Sequence, residues 1–236
     1  MKHDETCNSS KLKHVLFELK EHLPFTVFSA IMAMIVVGGF MAISFTLKED
    51  IIQRRSQNLF HIFHPVHMLL SATATSAMFW RYEKRVIKVV IIGFLGSILT
   101  CGISDVIIPF CSGMLFNNNF EFHLCILDHP LMILPFVTIG IFVGIIATER
   151  VEKTTCYSHS GHVFVSSMAS ILYLIAFGLV DWVSHVGSVF IIIIFAVIIP
   201  CCTSDIIFPL LLTKKAGNFP DFAVLTQKRG FFIAKF

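Results

Sequence analysis

The sequence predicts an all-α integral membrane protein of six transmembrane helices, arranged as two inverted three-helix repeats with the third and sixth helices broken or kinked. Three observations lead there. Of 236 residues, 56% are hydrophobic and 14% charged, against roughly 25% charged in a soluble domain. The apolar residues come in long runs rather than at a half-buried period. And one pair of motifs is written twice. His64-Pro-Val-His67 precedes Cys101-Gly-Ile-Ser104-Asp105-Val-Ile-Ile-Pro109, and His159-Ser-Gly-His162 precedes Cys201-Cys-Thr-Ser204-Asp205-Ile-Ile-Phe-Pro209.

The chain divides in order. Residues 1–24 are polar and lack the short apolar core and small-residue cleavage site of a secretory signal, so the first apolar run is expected to stay as an anchor. Repeat 1 occupies 25–116, with spans at 25–47, 60–80 and 86–116. A connector at 117–129 leads to repeat 2 at 130–212, with spans at 130–147, 163–180 and 186–212. A tail fills 213–236. A straight span takes about 20 residues. The third and sixth runs exceed that, and each carries a proline after its Ser-Asp pair, which predicts a broken or kinked helix. Gly140-x-x-x-Gly144 in the fourth span is a close-packing face. Trp80 and Trp182 close spans and read as interfacial anchors.

Of the 18 Lys and Arg residues, 15 fall in the N-terminal segment, the second-to-third and fourth-to-fifth loop regions and the tail. Only Lys48, Arg54 and Arg55 fall on the other side. Positive charge stays cytoplasmic, so a cell-membrane protein with both termini in the cytoplasm is expected. A net charge of +3 gives no reason to expect nucleic acid as a partner, and seven cysteines are an odd number for a disulfide framework. Membrane lipids and a metal ion are the expected partners, and a homo-oligomer is compatible with the sequence.

Three spans per repeat make consecutive copies face opposite ways across the bilayer. The likeness extends past the motifs. Ser71, Ala74 and Thr75 follow the first histidine pair as Ser166, Ala169 and Ser170 follow the second. Leu23-Pro24-Phe25 recurs as Leu134-Pro135-Phe136. Topology then puts His61, His64, His67 and Asp105 toward the outside, and His159, His162 and Asp205 toward the cytoplasm. Each face is expected to carry its own cluster. Whether these are two sites or halves of one stays open.

His-x-x-His on a helix places both rings on one face, and neutral imidazoles suit transition metals. A lone carboxylate within a span is expensive to keep and usually serves a function. Asp105 and Asp205, with Ser104 and Ser204 beside them, are therefore the expected central cation or proton sites. His64, His67, His159 and His162 complete the metal set. Weaker candidates are His61, Cys101, Cys201, Asp128, His129, Glu21 and His22. A single histidine pair would read as an interfacial feature; the duplication shifts the balance toward ligands. Protonation of His or Asp would weaken metal binding, which offers proton coupling.

Two known patterns fail. Ser158-His-Ser-Gly-His162 is similar to the Ser-Gly-His box of membrane lipid phosphatases, but their basic motif and later Arg and His-Asp elements are missing at suitable spacing. A zinc-protease signature needs Glu after its first His, and neither pair has it. Glu18-Leu-Lys-Glu-His-Leu-Pro-Phe25 and the Ser-Asp-x-x-x-Pro elements resemble pieces of heavy-metal or manganese efflux permeases. Those have inverted halves but more spans than the six read here. The resemblance implies metal export and assigns no residue roles. The expectation is thus a secondary transporter of a divalent transition-metal cation working by alternating access. The alternatives are a membrane-embedded metal- or haem-dependent enzyme, or a transporter or channel for another small solute.

Overall fold

The computed structural model describes residues 2–43, 48–116, 120–148 and 155–202, with side chains at 20, 22–43, 48–81, 83–116, 120–148 and 160–201. Among the described residues the secondary structure is helical and no strand occurs. The helices are α1 (Lys2–Ile43), α2 (Glu49–Tyr82), α3 (Val86–Gly102), α4 (Ile108–Gly113), α5 (Cys125–Asp128), α6 (Pro130–Ile146), α7 (Thr155–Phe177) and α8 (Val186–Cys202). A π-helical turn, Ile103–Ile107, joins α3 to α4, and a 3-10 turn, Trp182–His185, leads into α8.

Among the described residues, four helices are long and apolar enough to cross a membrane: His22–Ile43, Val86–Gly113, Ser160–Phe177 and Trp182–Cys201. Two of the six expected spans fall outside that set. α6 is apolar but has only 17 residues. α2 is 34 residues long, but its histidines and hydroxyl side chains dilute its hydropathy. The reason is position. α2 packs against α3, α6 and α7, and α1 packs against α7 and α8. α2 and α7 therefore lie inside, where side chains meet protein instead of lipid.

The outer helices show the reverse pattern. Along α3 and the π turn, Ile87, Ile91, Leu95, Leu99, Ile103 and Ile107 are all exposed at a spacing of four. On α8, Ile191, Phe195 and Ile199 repeat it. In water such continuous apolar stripes would be a liability; facing acyl chains they carry no cost.

Close packing around α2 depends on the Gly140-x-x-x-Gly144 face. A Cβ on Gly140 would run into the Leu69 carbonyl and stand 2.9 Å from Ala72 Cβ. One on Gly144 would stand 2.6 Å from the Thr73 carbonyl oxygen. The approach lets Thr73 Oγ1 donate to the Gly140 carbonyl at 3.1 Å, a bond between helices. At the offset set by Leu-Pro-Phe, α1 carries Ser29 and Ala33, both small and buried, where α6 has its glycines.

Two expectations need correction. The third span, expected to be broken or kinked, is not broken: helix continues through α3, the π turn and α4, and the π turn is its irregularity. Pro109 has no N–H to donate, and the widened turn absorbs the mismatch, with Ile108 N–H reaching back five residues to the Ile103 carbonyl. Trp182 is buried beside Gly38, with its ring 3.8 Å from the position a Cβ would take there, so it packs the core instead of meeting headgroups. Ser204 and Asp205, on which the expected break of the sixth span rests, lie outside the described residues.

Candidate metal centre

The π turn carries Ser104 and Asp105, and both are fully buried. π turns occur mostly as single-turn insertions at functional positions, because they re-aim side chains and loosen the backbone ladder. Here Ile108 N–H is taken by Ile103, so the Ser104 carbonyl lacks its ordinary helical donor. Ser170 Oγ of α7 reaches it at 3.1 Å, its hydroxyl shared with the Ser166 carbonyl at 2.9 Å.

Asp105 faces α2 and α7. Its Oδ2 accepts from His64 Nδ1 at 2.8 Å and from His67 Nδ1 at 2.7 Å. Its Oδ1 accepts from Ser104 Oγ at 2.6 Å and Ser166 Oγ at 3.1 Å. An ionised carboxylate has about four acceptor positions, and these four donors occupy them. Since the carboxylate only accepts, both Nδ1 atoms carry the proton. In the neutral imidazole form that leaves Nε2 as the unprotonated nitrogen.

The two Nε2 atoms have different surroundings. His67 Nε2 lies 2.8 Å from His162 Nε2, 3.7 Å from Cys201 Sγ and 3.8 Å from Cys101 Sγ. His67, His162 and Cys201 are all buried, and their ligand-type atoms lie within 4.8 Å of one another. His64 is buried with its ring stacked on Phe60, centroids 5.1 Å apart, and its Nε2 has no hydrogen-bond partner among the described residues. His67 and His162, expected at opposite faces of the bilayer, thus meet in one place. They are 95 residues apart, the same offset that relates Ser71 to Ser166.

A second group lies one helical turn before His64 on α2. His61 Nε2 is 3.1 Å from His123 Nε2, and Cys125 Sγ is 3.5 Å from the same His123 atom. His123 Nδ1 lies 2.9 Å from Asp128 Oδ2. The exposed His129 stands beside them, its ring centroid 5.2 Å from that of His61 and 5.7 Å from that of His123. Burial lowers the His123 pKa from the ordinary imidazole value, against the opposing pull of Asp128. Burial, with Asp128 adding to it, pushes the Cys125 thiol up to about 12. Between the groups, Phe60 contacts Tyr173 and Phe177 edge-on, at 5.3 and 5.9 Å between centroids.

The structure therefore gathers His64, His67, His162, Asp105, Ser104, Cys101 and Cys201 into one buried set, and His61, Asp128 and His129 into another. His22 lies in α1 and joins neither group of closely spaced ligand atoms. The His159 and Glu21 side chains lie outside the described residues, as do Ser204 and Asp205. Sequence reasoning missed His123 and Cys125, which belong to no repeated motif. Their signal was density: His123-Leu-Cys125-Ile-Leu-Asp128-His129 puts four ligand-type residues into one short connector. The chain matches no protein-family model, no curated protein and no solved structure.

Proposed function

We propose that the protein is a secondary transporter for a divalent transition-metal cation, with the ion held between α2 and α7 by His67, His162 and Cys201 and with Cys101 in reach. The observation that carries this reading is the buried pair of imidazole Nε2 atoms facing each other at 2.8 Å with thiols beside them. Asp105 gives it chemical sense. A carboxylate on Nδ1 fixes the tautomer, raises the basicity of Nε2 and leaves that atom for a metal, the usual arrangement behind a metal-bound histidine. In this reading Asp105 orients the ligands and balances charge from behind them. Imidazole with thiolate selects zinc-, cobalt- or nickel-like ions over magnesium or calcium. The thiol must lose its proton when the ion arrives, so binding and proton movement are linked.

The inverted repeat belongs to the same proposal. The choice of helix neighbours supports it: with α1 paired to α6, α2 to α7 and α3 to α8, the packing of α2 on α6 has a counterpart in α7 on α1, that of α2 on α3 in α7 on α8, and that of α1 on α8 in α6 on α3, each counterpart differing in extent. Residues related by a two-fold axis touch only on that axis, and His67 and His162 touch. A substrate site on the axis between repeats is what alternating access by rocking of two halves requires. The six-span topology, cytoplasmic termini and metal-export direction rest on the charge distribution and the efflux-permease resemblance. The haem alternative loses ground here, because two Nε2 atoms this close leave no room for a porphyrin between them.

The test is flux. Proteoliposomes holding an indicator for Zn(II) or Co(II) should fill with the wild-type chain and stay empty with His67→Ala at equal reconstitution. Wild-type vesicles that admit none of Zn(II), Co(II), Ni(II), Fe(II) or Mn(II), in either direction and with or without a pH gradient, would end the transport reading.

A further inference from the structure

We infer that His61, His123 and Cys125 form a second, peripheral metal site that loads the buried one, a step that rests on the transport reading above. Two chain segments distant in sequence converge on it: α2 supplies His61, and the connector running into α5 supplies His123 and Cys125. Their ligand atoms lie within 4.8 Å of one another. Convergence of distant segments on one point, with no repeat behind it, separates this group from a chance run of polar residues in a loop.

The chemistry repeats that of the buried set. Asp128 engages His123 Nδ1 at 2.9 Å, as Asp105 engages that of His67. The far nitrogen, Nε2, meets a second imidazole Nε2 and a thiol. Two backbone contacts steady the group: His123 N–H donates to Tyr173 Oη at 3.2 Å, and Leu124 N–H donates to Asp128 Oδ2 at 3.2 Å. His129 is exposed and adjacent, its ring centroid 5.2 Å from that of His61. The metal class is the same borderline-soft divalent ion.

The route inward follows α2. His61, His64 and His67 are spaced at three residues, which on a helix is a rise of about 4.5 Å per step. His64 stands midway, its buried Nε2 unpartnered among the described residues. Phe60 packs on His64, Tyr173 and Phe177 beside this row of histidines. An ion leaving the peripheral site would pass to His64 and then to His67.

Co(II) titration of the full chain in nanodiscs tests this, read by stoichiometry and by the thiolate-to-cobalt charge-transfer band. Wild type should bind two equivalents. Cys125→Ser and His123→Ala should each lose one and keep the other, and His162→Ala should lose the complementary one. Cys125→Ser is the gentler change and guards against misfolding of the histidine variant. In proteoliposomes both peripheral variants should raise the half-saturating Co(II) concentration by about tenfold or more. A single wild-type equivalent, untouched by Cys125→Ser and abolished by His162→Ala, overturns the peripheral site and leaves the transport reading standing. A single equivalent lost only in the peripheral variants leaves a metal site there but removes the buried one, and so overturns both the loading step and the transport reading. No Co(II) binding at all removes both.

Discussion

The buried group around His67 and the peripheral group around His61 use the same parts in different settings. Each has a carboxylate on one Nδ1, two Nε2 atoms facing each other and a thiol within 4 Å of the carboxylate-bound ring's Nε2. They differ in what holds them. Asp105 is sealed inside, its four acceptor positions filled by two imidazoles and two hydroxyls from α2, α7 and the π turn. Asp128 is about half exposed and holds one imidazole and one backbone N–H. A buried, fully bonded carboxylate holds its histidine rigidly; a wet one holds it loosely. In the proposed transporter that contrast suits tight selection inside and quick exchange at the peripheral group.

The contrast ranks a set of substitutions. His67→Ala should have the largest effect, abolishing flux and the buried Co(II) equivalent while the peripheral equivalent persists in the titration. Asp105→Asn comes next. It removes the charge that fixes two ring tautomers and brings an amide donor toward one of the two pairs of groups that now donate to the carboxylate. Outer partners of metal-bound histidines are worth about 10–100-fold in affinity, and burial puts this one at the upper end, measurable by competition with a chromophoric chelator. Asp128→Asn should weaken only the peripheral equivalent, by about tenfold; an equal or larger loss than from Asp105→Asn would refute the ranking by burial. Ser166→Ala removes one of four bonds to Asp105, a contribution of about 1 kcal/mol, and should lower buried-site affinity by a factor of a few.

Packing supplies a further check. Gly140→Ala puts a methyl against the Leu69 carbonyl, at a place where the helices have no slack. Overpacking of this kind costs about 1–3 kcal/mol. Thermal unfolding in detergent should show the loss, and both Co(II) equivalents should weaken together, because α2 carries a ligand for each.

How much of this was legible in the sequence divides along the same line. Duplication made the buried group readable: His67 with His162 and Cys101 with Cys201 stand out because they recur at related offsets. The meeting of the two histidines was not readable, since charge bias alone sends their motifs to opposite faces. The position of Asp105 behind the imidazoles was equally hidden, because no spacing in the sequence tells that both Nδ1 atoms turn toward its carboxylate. Proline correctly marked an irregularity in the third span, but the alternative of a π turn leaves no sequence mark distinct from a break. The low hydropathy of α2 was informative only afterwards, as the mark of a helix shielded from lipid by its neighbours. The peripheral group was missed because His123 and Cys125 sit in a connector where only spatial convergence gives them meaning.

The account turns on His67 and His162 holding one ion jointly. The Co(II) affinity of His67→Ala, His162→Ala and the double variant, measured in a Cys125→Ser background, tests this most directly. A shared site predicts that either single change removes the buried equivalent and that the double change removes nothing more. Full-affinity binding retained by either single variant would contradict it.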